Sequence, residues 1–349
     1  MRVGILIAAV IAAAAVPALA DVNFGPEARF VGMGGAGLAC TDRPAASVNP
    51  AALGLLPKRL SFVFPGVSLR TQGASLSDIA DWASDVWSLS APQGIELARE
   101  FGKQDTMLDL STSAGFVGSP ISATVDGEAR VWILPNAAFQ QFAETGTLPA
   151  DPTQMQAIIW AEAAVAMPSV GFGFKVPSMA TGKGSLFLGT RLRAVRGKFV
   201  RRTISWSGST DPNNLLATSN EPIEDEYGIG ADLGLIYSLP GPRETSFGIV
   251  AVNLLKPSLG AIKQDTIWSL GMAVRPNPKV VLAADIVNLT KAYDESADLR
   301  LGLEVRPLRF LALRAGYTGD SFTAGLGLFG IDVAFASEAP LAVSRTIRF

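Results

Sequence analysis

The residue types in this chain exclude most hydrolytic and metal-dependent chemistry. The 349-residue sequence contains no histidine and a single cysteine, Cys40. Histidine is the usual general base near neutral pH and a common zinc ligand, so a Ser-His-Asp triad and most zinc sites are ruled out. A hydrolytic barrel using serine, aspartate and glutamate alone is a disfavoured alternative. We therefore expect no enzyme, no metal site and no cofactor.

Two further patterns resemble a nucleotide-binding loop and a lipid-attachment site, but neither lies in the sequence context that such a site requires. The run Gly32-x-Gly34-Gly35-x-Gly37 resembles a phosphate-binding loop, yet it follows no clear strand and no lysine follows it at the required spacing. Cys40 follows Leu38-Ala39 as in a lipid-attachment site, but it lies far beyond the first apolar run. A lone cysteine forms no intrachain disulfide, so a small buried thiol is expected.

Arginines are the remaining candidates for ligand binding. Arg191 and Arg193 share one face of an alternating segment, and a guanidinium can pair with a substrate carboxylate. The alternative is a charge network that only stiffens the protein. The 29 basic and 31 acidic residues form no basic stripe, so no nucleic-acid partner is expected.

The N-terminus predicts export. Met1-Arg2 precedes an apolar run over residues 3–16, and Ala18-Leu19-Ala20 forms a cleavage site. This run is shorter than the ~20 residues that a spanning helix requires, so residues 1–20 are interpreted as a secretory signal peptide. No later segment is apolar for ~18 residues, although the mean hydropathy is high at +0.31.

Alternation with a period of two is the strongest structural signal. Over residues 299–306 the odd positions are aliphatic and the even positions are charged or glycine. Successive side chains of a strand point to opposite faces, so this is an amphipathic strand. Residues 227–237 repeat the pattern between two tyrosines, which a tilted strand would place roughly 25 Å apart, the height of an apolar membrane band. Residues 276–279 and 329–330 are predicted to be hairpin turns.

The alternating segments fit either a soluble β-sandwich or a membrane barrel. Strands long enough to cross a bilayer, turns that alternate between tight and long, and the alternating segment Leu341 to Phe349 favour the barrel. We therefore predict an all-β fold: a transmembrane antiparallel β-barrel in the cell outer membrane, surrounded by lipid, with about 14 strands within a range of 12–16.

Several segments depart from the strand pattern. Residues at about 75–104 are predicted to form a short helical insertion, because Ile79, Trp82 and Val86 follow helical spacing. Residues 207–226 are predicted to be a long polar loop. Strands are expected over 59–69, 108–125 and 129–134, and residues 158–176 are expected to form two strands that break near Pro168.

The segment from Ala28 to Leu53 resembles the N-terminus of FadL-like outer-membrane proteins, which include PorV-like and TraF-like groups. The shared elements are Gly32, Met33, Gly34, Gly35 and Ala36, followed by Asp42 and by Asn49-Pro50. The resemblance implies that residues 21–58 form an N-terminal plug inside a barrel built by residues 59–349.

The resemblance also implies a function. FadL-like proteins include fatty-acid transporters, so the first hypothesis is a channel for hydrophobic, fatty-acid-like small molecules, with the ligand held near the plug. The alternative is a non-transporting barrel that docks or shuttles secreted proteins through loops such as residues 207–226. A continuous apolar tunnel would favour transport, and a filled lumen would favour docking.

Overall fold

The computed structural model describes residues 27–42, 45–58, 60–72, 103, 105–177, 184–206, 216–219, 221–241, 243–259, 262–292, 296–319, 321–336 and 341–348. The expected signal peptide lies outside these residues, and so does the expected helical insertion apart from Lys103. Among the described residues, no helix has the length and apolar character needed to cross a membrane.

Strands dominate the described residues. They are β1 (Ser61–Gln72), β2 (Thr106–Val117), β3 (Ile121–Pro135), β4 (Gln156–Lys175), β5 (Ser185–Trp206), β6 (Leu216–Thr218), β7 (Glu224–Leu239), β8 (Glu244–Val252), β9 (Ser258–Leu259), β10 (Ile262–Lys263), β11 (Ile267–Asn277), β12 (Val280–Val287), β13 (Asp298–Leu308), β14 (Leu311–Thr318), β15 (Ser321–Leu328), β16 (Ile331–Ala336) and β17 (Leu341–Arg348). The helices are Ala28–Val31, Ala45–Val48 and Ala137–Thr145, with 3-10 helices at Pro50–Leu55 and Pro152–Gln154.

Fourteen strands close into one antiparallel barrel. The sheet order is β4-β3-β2-β1-β17-β16-β15-β14-β13-β12-β11-β8-β7-β5, and β5 pairs with β4 to complete the ring. The last strand joins the first, with Ser61 opposite Arg348. Strand β6 adds to the end of β5, and β9 and β10 form a separate two-stranded sheet. The predicted barrel and its predicted strand number are confirmed.

Alternation sorts side chains between the outer surface and the lumen. On β13, Leu299 and Leu301 are 48% and 43% exposed, whereas Arg300 and Glu304 are 7% and 0% exposed. The aliphatic face is therefore the outer, lipid-facing surface, and the charged face points inward, as the sequence predicts.

The two ends of the barrel differ. At one end, called here the tight-turn end, short connections join β2 to β3, β7 to β8, β11 to β12, β13 to β14 and β15 to β16. At the other, the long-loop end, longer connections include the one that carries the helix Ala137–Thr145 between β3 and β4. The predicted hairpin turns at residues 276–279 and 329–330 both lie at the tight-turn end.

Three sequence-based boundaries are wrong. The turn between β2 and β3 lies at residues 118–120, within the segment expected to be one strand, because Gly118-Ser119-Pro120 breaks the ladder. Strand β4 continues across Pro168, where a bulge absorbs the missing amide donor of proline. The expected loop over residues 207–226 contains β6 and the start of β7.

Candidate functional site

The described part of the N-terminal segment, residues 27–42 and 45–58, lies inside the barrel near the tight-turn end. Its helix Ala28–Val31 contacts β1, β15, β16 and β17, and its 3-10 helix Pro50–Leu55 contacts β4, β5 and β7 across the lumen. Phe30, Met33 and Leu53 have no exposed surface. The segment therefore fills this part of the lumen with a packed apolar core.

Glycines on the inner wall allow this close packing. A Cβ added to Gly316 would lie 2.1 Å from the backbone nitrogen of Gly34, and one added to Gly189 would lie 2.3 Å from the carbonyl carbon of Pro50. We call the set of wall glycines in such contact the glycine belt: Gly173, Gly189, Gly234, Gly248, Gly271, Gly302, Gly316 and Gly325. At most of these glycines the wall lies directly against the backbone of the segment, and at Gly271 it lies against the Leu38 side chain.

The glycine-rich motif of the segment forms a tight turn against this belt. Gly34 has a φ of 64°, which favours glycine, and its amide donates to Oγ1 of Thr323 at 2.9 Å. Gly32 faces Gly325, and Met33 packs on Gly302. Gly35 follows with a φ of 77°, and Ala36 is completely buried. These contacts hold the segment to β13, β14 and β15.

Asn49 and Pro50 connect the segment to the opposite wall. The Asn49 side chain accepts a hydrogen bond from the amide of Ala51 at 3.0 Å, which caps the 3-10 helix. Its Nδ2 donates to the carbonyl of Leu38 at 2.8 Å and to that of Leu235 at 3.3 Å. Pro50 fits against Gly189. One asparagine thus ties two parts of the segment to β7.

Asp42 belongs to an ionic cluster at the tight-turn end. Arg29 donates to Asp42 at 2.6 Å and to Glu304 of β13 at 2.9 Å. Arg314 of β14 donates to Glu304 and to Asp332 of β16, both at 2.7 Å. Arg29 and Glu304 are almost completely buried, so their charges depend on these partners.

Two titratable groups of the segment are shifted by burial. Burial raises the pKa of Glu27 to about 8, with a smaller opposing effect from Arg29. Burial likewise raises the pKa of the Cys40 thiol to about 12. Cys40 is therefore the small buried thiol that the sequence predicts, and it is protonated and unreactive near neutral pH.

Asp285 of β12 is an anchoring residue that sequence reasoning missed. Its Oδ2 accepts hydrogen bonds from the amides of Gly37 at 2.6 Å and Leu38 at 2.9 Å. The signal was present in the sequence, because Asp285 interrupts the aliphatic residues of its strand. Its partner could not be read from the sequence, since it lies almost 250 residues away.

Arg191 and Arg193 face the lumen, as predicted for β5. Arg191 donates to Asp232 at 2.8 Å and to the carbonyl of Ser47 at 2.8 Å. Arg193 donates to the other oxygen of Asp232 at 2.9 Å and to the side chain of Asn253. This arrangement fits the charge-network alternative better than a free carboxylate receptor.

Three aromatic side chains line the inner wall toward the long-loop end. The ring centroids of Trp132 and Trp160 are 5.7 Å apart, and those of Trp160 and Phe199 are 5.2 Å apart. We call these residues the aromatic cluster. Trp160 pairs opposite Trp132 on the neighbouring strand, and Phe199 has the same parity on β5 as the lumen-facing Arg193.

An arginine whose charge is neutralised by an aspartate lies beside the aromatic cluster. The guanidinium carbon of Arg130 lies 5.2 Å from the centroid of the Trp132 ring, and Arg130 pairs with Asp109 at 3.2 Å. Sequence reasoning missed this cluster because its three members come from three strands. The alternation within β3, β4 and β5 is the signal that could have placed them on one face.

Comparison with solved structures supports the fold. No protein-family model matches the chain, and no curated protein matches it by sequence. The class is defined by the fold, a closed 14-strand antiparallel transmembrane β-barrel. A solved structure with this fold is a deltaS2S3 mutant of the monoaromatic hydrocarbon channel TodX, which is 14% identical, with a TM-score of 0.54 over 93% of this chain and 99% of that one.

Two other solved structures are similar over most of their length. The toluene transporter TodX of Pseudomonas putida is 13% identical over 95% of this chain and 98% of its own, with a TM-score of 0.46. The monoaromatic hydrocarbon channel CymD is 12% identical over 93% and 98%, also with a TM-score of 0.46. The likeness to the deltaS2S3 mutant of TodX shows the fold alone. The FadL-like resemblance, with its PorV-like or TraF-like subgroup, stays a prediction.

Proposed function

We propose that this protein is an outer-membrane channel for the uptake of hydrophobic small molecules, with residues 21–58 as its plug. The observation that carries the proposal is the aromatic cluster, which faces the lumen on the long-loop side of the packed N-terminal segment. A pocket for an apolar ligand is typically lined by aromatic side chains with few polar groups. The ligand is held between the cluster and the plug.

The direction of uptake follows from the two ends of the barrel. Outer-membrane barrels have short periplasmic turns and longer extracellular loops, so the long-loop end faces outward. Tyr227 marks the outer edge of the apolar band, because the exposed pair Arg196 and Asp225 lies directly beside it. The aromatic cluster is thus near the entrance, and the plug is near the periplasm.

The filled lumen requires an exit other than an open axial pore. The ladder between β4 and β5 is interrupted between Ala166 and Ser169, which leaves a gap in the hydrogen bonding of the wall. Gly171 and Gly173, next along β4, already contact Leu53 and Pro50 of the segment. We propose that ligand leaves through this part of the wall or by a local shift of the adjoining plug residues.

The charges favour an uncharged aromatic ligand over a fatty acid. Arg130 is paired with Asp109, and Arg191 and Arg193 share Asp232. A carboxylate bound by Arg130, Arg191 or Arg193 would have to displace one of these acids. The TodX and CymD structures are named as channels for monoaromatic hydrocarbons, which fits the same ligand class.

Uptake measurements in a bacterial strain that lacks its own hydrophobic channels test the proposal. Expression of the wild-type protein is expected to increase entry of labelled toluene more than entry of labelled oleate. Trp132→Ala/Trp160→Ala is expected to reduce the toluene rate severalfold. Phe322→Ala is the matched control, because Phe322 is an aromatic residue that is 81% exposed on the outer face. Folded protein with no uptake of either compound would refute the proposal.

The docking alternative is favoured by one observation, the packed lumen near the tight-turn end. In that case the barrel binds a secreted protein at its long-loop end and transports nothing. Crosslinking in cells separates the two functions, since docking requires a specific secreted partner to be captured while toluene uptake stays at the background rate.

A further inference from the structure

A short sequence is repeated at the long-loop end. Strand β8 ends at Val252 and is followed by Asn253-Leu254-Leu255-Lys256, and β12 ends at Val287 and is followed by Asn288-Leu289-Thr290-Lys291. Both fit the pattern Val-Asn-Leu-x-Lys. The proposed uptake function uses neither lysine, so the repeat calls for a separate explanation.

The two copies have the same backbone structure. Asn253 and Asn288 have φ values of 57° and 60°, and Lys256 and Lys291 have φ values of 42° and 52°. In each copy the lysine amide donates to the asparagine carbonyl at 3.0 Å. Non-glycine residues rarely adopt positive φ, so two such pairs at matched positions indicate a specifically built turn.

Each turn is fastened to the neighbouring strand. The amide of Leu254 donates to the carbonyl of Ala231, and that of Leu289 donates to the carbonyl of Trp268, both at 2.8 Å. Both asparagines are fully buried. The buried asparagine therefore fixes the turn, while the leucine and lysine that follow it lie at the surface.

The turns and Trp268 form one outer surface. Strand β11 lies between β8 and β12, and its Trp268 sits opposite Ala251 near the end of β8. Leu255, Leu289 and Trp268 are all at least 40% exposed. We call this surface the outer collar: Leu254, Leu255, Lys256, Trp268, Leu289 and Lys291.

The outer collar combines exposed apolar side chains with two cations at the long-loop end of the barrel. Tryptophan is enriched at the membrane–water interface, with apolar neighbours toward the acyl chains and lysines toward the headgroups. Lys256 approaches Asp265 only to 3.7 Å, with both side chains about half exposed or more. This contact is weak in water and can be exchanged for a stronger anion.

We propose that the outer collar binds the phosphorylated glycolipid of the outer leaflet. Acyl chains pack against Leu254, Leu255 and Leu289, and the glycolipid phosphates lie against Lys256 and Lys291. A phosphate offers several acceptor oxygens to an ammonium group, whereas the half-exposed Asp265 carboxylate has only two. The two repeated turns hold the lysines just beyond the ends of β8 and β12, the strands on either side of β11 and its Trp268.

Native mass spectrometry of the purified full-length protein tests this binding. Lipopolysaccharide, its dephosphorylated form and phosphatidylglycerol are added in turn to the protein in detergent. The wild type is expected to retain lipopolysaccharide most tightly. Lys256→Gln/Lys291→Gln is expected to weaken its binding about tenfold or more, since each cation near an anionic lipid surface contributes roughly 1 kcal/mol.

Lys175→Gln/Lys279→Gln is the matched control, because both of these exposed lysines lie at the tight-turn end. It is expected to bind lipopolysaccharide like the wild type, and heat-modifiable gel mobility checks that every variant is folded. Equal loss in both double variants would overturn the proposal. So would unchanged binding of the dephosphorylated lipid, or equally tight binding of phosphatidylglycerol.

Discussion

Glu304 shows how single residues hold the N-terminal segment in place. It has no exposed surface, yet it accepts hydrogen bonds from Arg29 of the segment and from Arg314 of the wall. Arg306 adds a third contact at 2.7 Å. A buried carboxylate is stable only with such partners, because its own desolvation is strongly unfavourable. Arg29 and Glu304 are 275 positions apart, so the sequence could not predict this pair.

Glu304→Gln is expected to destabilise the folded barrel by about 3–5 kcal/mol, because it leaves buried arginines without their shared carboxylate. Urea titration of the protein in lipid vesicles, followed by tryptophan fluorescence, measures the change. Asp225→Asn removes an exposed pair with Arg196 and should change stability little. Equal effects of the two substitutions would contradict the role assigned to Glu304.

Glu27 gives the protein a specific pH dependence. Its pKa rises on folding from the ordinary 4.5 to about 8, so the folded state favours the protonated carboxyl. Protonation of Glu27 makes its full contribution to the free energy of unfolding below pH 4.5. This contribution is lost as the pH rises through about 8. Glu27→Gln is therefore expected to match the wild type in acid and to be more stable above pH 8.

Thermal unfolding of both proteins between pH 4 and 9, followed by heat-modifiable gel mobility, measures this difference. Each pKa unit corresponds to about 1.4 kcal/mol, so the gap should reach a few kcal/mol at the alkaline end. A constant difference between wild type and Glu27→Gln at every pH would show that the carboxyl does not change its charge in this range.

At the level of elements, the sequence predicts strands well but not their partners. Alternation identifies β7, β11, β12 and β13, because side chains of a strand must divide between lipid and lumen. The same alternation shows that the inward faces of these strands are rich in glycine. It does not show why glycine is needed there. The reason is the segment itself, whose backbone occupies the space that side chains would fill.

The 22-residue length of β5 was not predicted, and neither was the 20-residue length of β4. A bilayer requires about 9–11 residues per strand, and periodicity alone cannot tell where a strand leaves the membrane. Proline has no amide donor, so the sequence predicts a break at Pro168. The structure instead places a bulge there, and the ladder resumes at Ser169.

The glycine belt predicts a clear contrast between two glycine substitutions. Gly316→Ala brings a methyl group within 2.1 Å of the Gly34 nitrogen, whereas Gly241→Ala meets nothing within 4 Å. The first is expected to lower stability by about 2 kcal/mol or more, or to push the N-terminal segment away from the wall. Urea unfolding and limited proteolysis of the segment distinguish these outcomes, and Gly241→Ala should behave like the wild type in both.

At the scale of the whole molecule, barrel closure was predictable and the packing of its interior was not. The alternating terminal segment led to the expected barrel, and β17 does pair with β1. The placement of the candidate plug rested on resemblance, because no local pattern in residues 27–58 shows which strands they contact. Those contacts involve strands from β1 to β17, so they depend on the completed ring.

Ion conductance is the property of the whole barrel that tests the packed interior. A barrel of 14 strands is wide enough to leave a lumen, between the filled 8-strand barrels and the open 16-strand porins. Here Phe30, Met33 and Leu53 occupy that space without any exposed surface. The wild-type protein in planar bilayers is therefore expected to show no steady ion current.

Deletion of residues 27–58 should produce open channels, provided that gel mobility shows a folded barrel. Asp285→Ala, which removes the acceptor of the Gly37 and Leu38 amides, should produce brief openings. A wild-type current as large as that of the deletion variant would mean that the segment leaves a water-filled path beside it.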